Sequence, residues 1–208
     1  MAKYPPVPAK SWAEVDFEAR RAWEQLFSSA EDFFKPLAML EVFEDGLKKI
    51  FGIGYGVENL PFGEEGKFNF ATNEIVLDEG VYYDLTRDGR RARFTLAHEI
   101  GHGLMHGGFM RATGGRAPAL KRSSIPAYKD PECQANRYAS EFLMPTQLVL
   151  EHIRRGADVC EIPQIFRTSN KATRIKLEDL YKKGLIKKNL TRRHCRVGGL
   201  KGSGISAV

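Results

Sequence analysis

The chain has 208 residues, of which 42% are hydrophobic, 28% charged and 11% aromatic; this is ordinary globular usage and excludes collagen-like, coiled-coil and wholly disordered readings. No stretch approaches the ~18 consecutive apolar residues of a membrane helix, and the N-terminal MAKYPPVPAKSWAEVDFEARR has no apolar core of a secretory signal. The net charge of +6 is uneven: residues 1–60 carry 7 basic and 10 acidic side chains, residues 61–150 carry 11 of each, and residues 151–208 carry 14 basic and 5 acidic.

Residues 1–10, with Pro5, Pro6 and Pro8, read as an extended arm. Ser11 caps a first helix, on which Val15, Ala19, Ala22, Trp23 and Leu26 recur at helical spacing. Pro36 suits the first turn of a second helix carrying Leu37, Leu40, Phe43, Leu47 and Ile50, and Gly52 stops it. The glycine-rich texture that follows predicts short strands at Tyr55–Leu60, Lys67–Ala71 and Glu74–Leu77, forming a small antiparallel sheet. Asp78–Asp88 holds a short helix or loop. A strongly helical stretch begins at Arg90 and is expected to end at Gly107–Gly108. Residues 111–129 form a long loop. Asp130 as N-cap and Pro131 at the first helical position open another helix, which breaks at Pro145. Short helices follow at Thr146–Gly156, Glu161–Arg167 and Ser169–Lys183. The fold class is therefore α+β. Its organisation reads as an N-terminal arm and helix (1–32), a core (33–150), a helical C-terminal piece (151–189) and a basic, unstructured tail (190–208). Cys133, Cys160 and Cys195 are odd in number and widely spaced, which fits reduced thiols in a cytoplasmic protein.

The chemistry concentrates in His98-Glu99-Ile100-Gly101-His102, an HExxH. Residues four apart on a helix project from one face, so both imidazoles can reach one Zn²⁺. Glu99 lies off that row and can reach a water without ligating the metal, as a general base must. A third protein ligand is needed, and the candidates are His106, Asp130, Glu132 and Cys133. His106 continues the row, but three histidines over nine residues span about 12 Å of helix, too far for one ion. Glu132 is the better choice, in the first turn of the second motif helix, where the positive helix end favours a carboxylate. Ala135 and Ala139 let that helix approach the first, and Asn136 can orient a ligand.

The pairing of RARFTLAHEIGHGLMH (residues 91–106) with ECQANRYASEFLMP (residues 132–145) resembles the ImmA/IrrE family of zinc metallopeptidases. The family pattern is similar to RFTLAHExGHxxxH, a variable loop, then ExxANxFAxxLLMP; Tyr138 and Phe142 are apolar departures from it. The resemblance implies a zincin-like, gluzincin-type core and one Zn²⁺ per chain held by His98, His102 and Glu132. It also implies Glu99 as base and then acid. The substrate it implies is a protein, a helix-turn-helix repressor, in settings such as mobile elements and stress responses. An electrophilic helper is expected among His106, Tyr82, Tyr83, Tyr128 and Tyr138, and Glu74–Leu77 is the expected sheet edge for a substrate strand.

A second class competes. Residues 162–177 read as helix, tight turn and helix, and Lys171, Arg174 and Lys176 on an exposed face would meet phosphates. That reading gives a non-proteolytic DNA- or repressor-binding regulator with a structural zinc; a solvated helical cap on the core is favoured over it, so nucleic acid is not the expected partner.

Overall fold

The computed structural model describes residues 6–26, 35–114 and 125–187. Helix α1 (Trp12–Gln25) opens with a reciprocal capping box: Ser11 accepts from the Glu14 backbone N–H, and the Glu14 carboxylate accepts from Ser11 N–H. The next helical run starts later than Pro36 predicts. It comprises α2 (Met39–Glu41), a π turn (Val42–Gly46) and α3 (Leu47–Phe51), stopped by Gly52 at φ +64°. The late start has a cause: the Leu37 carbonyl, which a helix from Pro36 would use internally, accepts from the buried guanidinium of Arg93 at 2.8 Å.

Strands β1 (Gly54–Glu58), β2 (Gly66–Asn69) and β3 (Glu74–Asp78) form a sheet of order β1-β3-β2. The sheet is mixed, not antiparallel: β1 runs parallel to β3, and β2 antiparallel to it. The loop 59–65 carries the chain over the C-terminal end of β3 and leaves room for β3 between the first two strands. Two bonds tie the loop there, Leu60 N–H to Asp78 Oδ2 at 3.1 Å and Asp78 N–H to the Glu65 carbonyl at 3.1 Å. Since β3 is central, it is not the edge expected to receive a substrate strand; β2 is the edge beside the next long helix.

Helix α4 (Glu79–Thr86) is capped by Asp78, and α5 (Arg90–Thr113) carries the HExxH. Gly107–Gly108 does not end α5; Gly114, at φ +58°, does. Two helical glycines cost about 1 kcal/mol each, but burying Met110 returns about 1.5–3 kcal/mol, and Arg111 adds a 2.8 Å bond to Asn73 Oδ1. After a 3₁₀ turn (Ala127–Lys129) come α6 (Pro131–Leu143), α7 (Thr146–Arg154), α8 (Ile162–Ile165) and α9 (Asn170–Lys182). Asp130 caps α6, as expected, and Ser169, expected inside the last helix, caps α9.

Helix α5 packs on α6 and on strands β2 and β3, and α1 also packs on α6. The close approaches are set by missing side chains. A Cβ at Gly101 would lie 3.0 Å from the Tyr138 ring, and one at Gly103 would lie 2.3 Å from the Phe68 ring. One hydrophobic cluster joins Val15 and Trp23 of α1, Phe43, Leu96 and Phe142 with Leu177 and Leu180 of α9. Cys133 keeps its thiol, which donates to Asp130 Oδ2 at 3.5 Å, whereas Cys160 is disulfide-bonded, so reduced thiols throughout is not what the structure has. No helix among the described residues is long and apolar enough to cross a membrane. The expected tail, residues 190–208, lies outside the described residues.

Candidate metal centre

His98 and His102, one turn apart on α5, face Glu132 in the first turn of α6. His98 Nε2 lies 3.5 Å from Glu132 Oε2, and His102 Nε2 lies 3.4 Å from Glu132 Oε1. The two Nε2 atoms are 2.9 Å apart. Among the described residues, these three form the group of His, Cys, Asp or Glu able to share a metal ion. Asp130 and Cys133, weighed as third ligands, instead bond one another and the start of α6. His106 is also outside the group.

The spacing fits a cation. Ligand atoms ~2.0–2.1 Å from one tetrahedral Zn²⁺ lie about 3.3 Å from each other, close to the separations here. The chemistry fits too. Glu132 Oε1 is buried with no donor in hydrogen-bonding geometry, although His102 stands 3.4 Å away. Burial alone would raise the Glu132 pKa, but His102 and His98 outweigh it and hold the carboxyl well below its usual range, so it is ionised. Burial pushes His102 down, toward the neutral imidazole that ligates metals.

The surrounding shell is fully built. His98 Nδ1 meets Asn136 Oδ1 at 3.2 Å, the role expected of Asn136. His102 Nδ1 meets His106 Nδ1 at 3.2 Å, and His106 Nε2 meets Gln134 Oε1 at 3.0 Å. Burial first, and His102 second, press His106 down to about pKa 3. Sequence reasoning missed Gln134. Its signal was a polar residue inside the stripe Pro131, Ala135, Tyr138, Ala139 and Phe142, all of which are buried.

Glu99 is 3% exposed and, with His98, lines a cleft also lined by residues 61–65 of the loop and by Gly66 at the start of β2. The loop is pinned to α5: Thr95 Oγ1 donates to Glu65 Oε2 at 2.9 Å, and Arg91 pairs with Glu65 Oε1. Phe62 on the loop is fully exposed. None of the five expected electrophilic helpers lines the cleft. Tyr138 and His106 are wholly buried, the Tyr82 hydroxyl donates to Glu44 Oε1 at 2.7 Å, and the Tyr83 ring lies under Arg87. Tyr128 instead offers its backbone carbonyl to Gln134.

Fold and site together define a class: an α+β protein in which an HExxH helix and a following helix offer two imidazoles and a carboxylate to one cation, with a second glutamate at the cleft. Residues 68–178 match the family Peptidase_M78, the IrrE N-terminal-like domain, and the chain belongs to that family. The family supports a metallopeptidase-like function. Among solved structures, a Mycobacterium tuberculosis transcriptional regulator is similar, with a TM-score of 0.54 and 13% identity over 79% of this chain and 46% of that one. At that identity the likeness is one of fold, and this chain corresponds to less than half of that protein. No curated protein matches the chain.

Proposed function

We propose that the chain is a zinc-dependent endopeptidase acting in the cytoplasm on a regulatory protein of the helix-turn-helix repressor type. The observation that carries the reading is the convergence of His98, His102 and Glu132 within 4.8 Å of one another, beside Glu99 in the cleft wall. Zn²⁺, when bound, supplies Lewis acidity that polarises a carbonyl and brings the pKa of water from 15.7 toward ~7. The chain's own residues do the rest. His98, His102 and Glu132 hold the ion, and Asn136 orients His98. Glu99 takes a proton from the attacking water and delivers it to the departing amine. The substrate lies in the cleft between α5 and the 61–65 loop, with Phe62 against an apolar side chain and the peptide backbone along Lys67–Asn69 of β2. The repressor as substrate rests on the family resemblance.

The DNA-binding alternative keeps two of its three cations. Lys176, expected on an exposed face, is 2% exposed and paired with Glu141; Lys171 and Arg174 are exposed as expected, with Arg174 facing Glu178 at 3.7 Å.

The test mixes wild-type or Glu99→Gln protein with the helix-turn-helix repressor encoded beside its gene, with zinc or with chelator, and reads intact mass. Cleavage by wild type with zinc alone is expected. An intact repressor in every arm overturns the substrate assignment, and cleavage by Glu99→Gln at the wild-type rate overturns the role of Glu99. Tight duplex binding that weakens steeply with salt and ignores chelator would favour the alternative.

A further inference from the structure

The N-terminal arm reaches the metal centre through hydrogen bonds. Val7 N–H donates to the Lys129 carbonyl at 3.1 Å and Lys10 N–H to the Tyr128 carbonyl at 3.0 Å. Residues 7–10 are thereby strapped along the turn that precedes α6, with Val7 buried. Between strap and turn sits the Gln134 amide, whose Nε2 donates to the Pro8 carbonyl at 3.1 Å and to the Tyr128 carbonyl at 2.8 Å. Gln134 is 0% exposed.

Donor and acceptor bookkeeping gives this chain of bonds one direction. Carbonyl oxygens only accept, so the Gln134 group facing Pro8 and Tyr128 is its NH₂, and the atom facing His106 is its oxygen. An oxygen there requires the His106 proton on Nε2. A neutral His106 then offers a lone pair at Nδ1, 3.2 Å from His102 Nδ1. A neutral imidazole that ligates through Nε2 carries its proton on Nδ1, and that proton needs an acceptor; His106 Nδ1 is in place to be one.

We infer that His106 and Gln134 are positioning residues, and that the arm carbonyl of Pro8, with that of Tyr128, sets through them the tautomer in which His102 presents Nε2 to the metal. The inference rests on the reading of His98, His102 and Glu132 as ligands. It gives residues 7–10 a role at the site although none of them lines the cleft. It also explains why an imidazole one turn beyond the HExxH is buried with no part in ligation.

The test uses the full-length chain. Zn²⁺ affinity is measured by competition with a chromophoric chelator for wild type, Gln134→Met and Lys10→Pro, which removes the N–H that ties the strap to Tyr128. Folding of each is checked by circular dichroism. Gln134→Met is expected to bind Zn²⁺ 10–100-fold more weakly, and Lys10→Pro to lose affinity in the same direction by less. Long-range ¹⁵N–¹H NMR of the zinc-loaded wild type is expected to place the proton of His106 on Nε2 and that of His102 on Nδ1. A wild type that binds no Zn²⁺ overturns the metal centre itself. A wild type that binds it, with Gln134→Met binding equally well or with His106 protonated on Nδ1, overturns the relay alone. Should Gln134→Met fail to fold, the NMR assignment on wild type decides the matter.

Discussion

Toward α5, helix α6 presents Glu132, Gln134 and Asn136 to a column of three histidines. Toward α1 and α9 it presents Arg137 and Glu141 to Asp16, Asp179 and Lys176. The second region balances its own charge. Arg137 forks onto Asp16 at 2.6 and 2.5 Å and reaches Asp179 at 2.8 Å, and Lys183 lies 3.1 Å from both carboxylates. Glu141 accepts from Thr146 N–H and Oγ1 at 2.9 and 2.8 Å and pairs with Lys176. In the first region a buried carboxylate stands against two imidazole nitrogens 2.9 Å apart, an arrangement that could hold a cation. One helix thus holds a charge-paired staple on one side and a candidate metal site on the other. The difference teaches that burying polar groups marks a site only where the partners within the chain leave a charge or lone pair over.

Chemistry tests this contrast most sharply. Glu99→Gln should lower turnover by about 10²–10⁴-fold while zinc affinity and melting temperature stay near wild type; a parallel loss of zinc would place Glu99 among the ligands instead. The staple should respond in stability, not in chemistry. Lys176→Met leaves Glu141 as a buried, unpaired charge and should cost about 3–5 kcal/mol in denaturant unfolding, with much of it recovered by adding Glu141→Gln. A change below ~1 kcal/mol would mean that water reaches Glu141.

Zinc comes next in size. At a concentration of about 100 Kd it should stabilise the fold by ~2.7 kcal/mol, and chelator should reverse the gain. The same increment in Lys176→Met is expected if metal site and staple are independent, and a vanished increment would show that they are coupled. Phe62→Ala should raise KM several-fold with kcat unchanged, because the side chain touches the cleft and not the reacting atoms; an equal fall in kcat would move Phe62 into the transition state.

The smallest effect is in acid. Burial would raise the Asp179 pKa, but Arg137 and Lys183 outweigh it and set it below its usual 3.8. A carboxyl lowered on folding stabilises above its unfolded pKa and loses that stability as pH falls through the folded one. Melting temperature should therefore drop below about pH 3.8, less steeply in Asp179→Asn; identical slopes would show that Asp179 contributes nothing.

Much of this was legible residue by residue. The caps at Ser11 and Asp130 act locally, so their helices start where the side chains say. The HExxH row and the choice of Glu132 over His106 follow from helical pitch, and Asn136 one turn beyond Glu132 follows from the same geometry. What failed was non-local. The sheet looked antiparallel because short strands and turns carry no record of β3 entering between β1 and β2. Gly107–Gly108 looked like a stop because the burial of Met110 is invisible in the string. Lys176 looked solvated because its partner, Glu141, is 35 residues away.

The sequence by itself determined which groups could act: two imidazoles on one helical face, a glutamate off that face, and a carboxylate at the head of a second helix. These follow from backbone periodicity and from helix-end charge, which neighbours in the chain impose. Only the tertiary structure decided that those groups converge, that Phe62 and Glu65 wall the cleft, and that Pro8 speaks to His102 through Gln134 and His106. Those contacts join segments up to 126 residues apart, and packing, which local preference does not encode, alone fixes which of them meet.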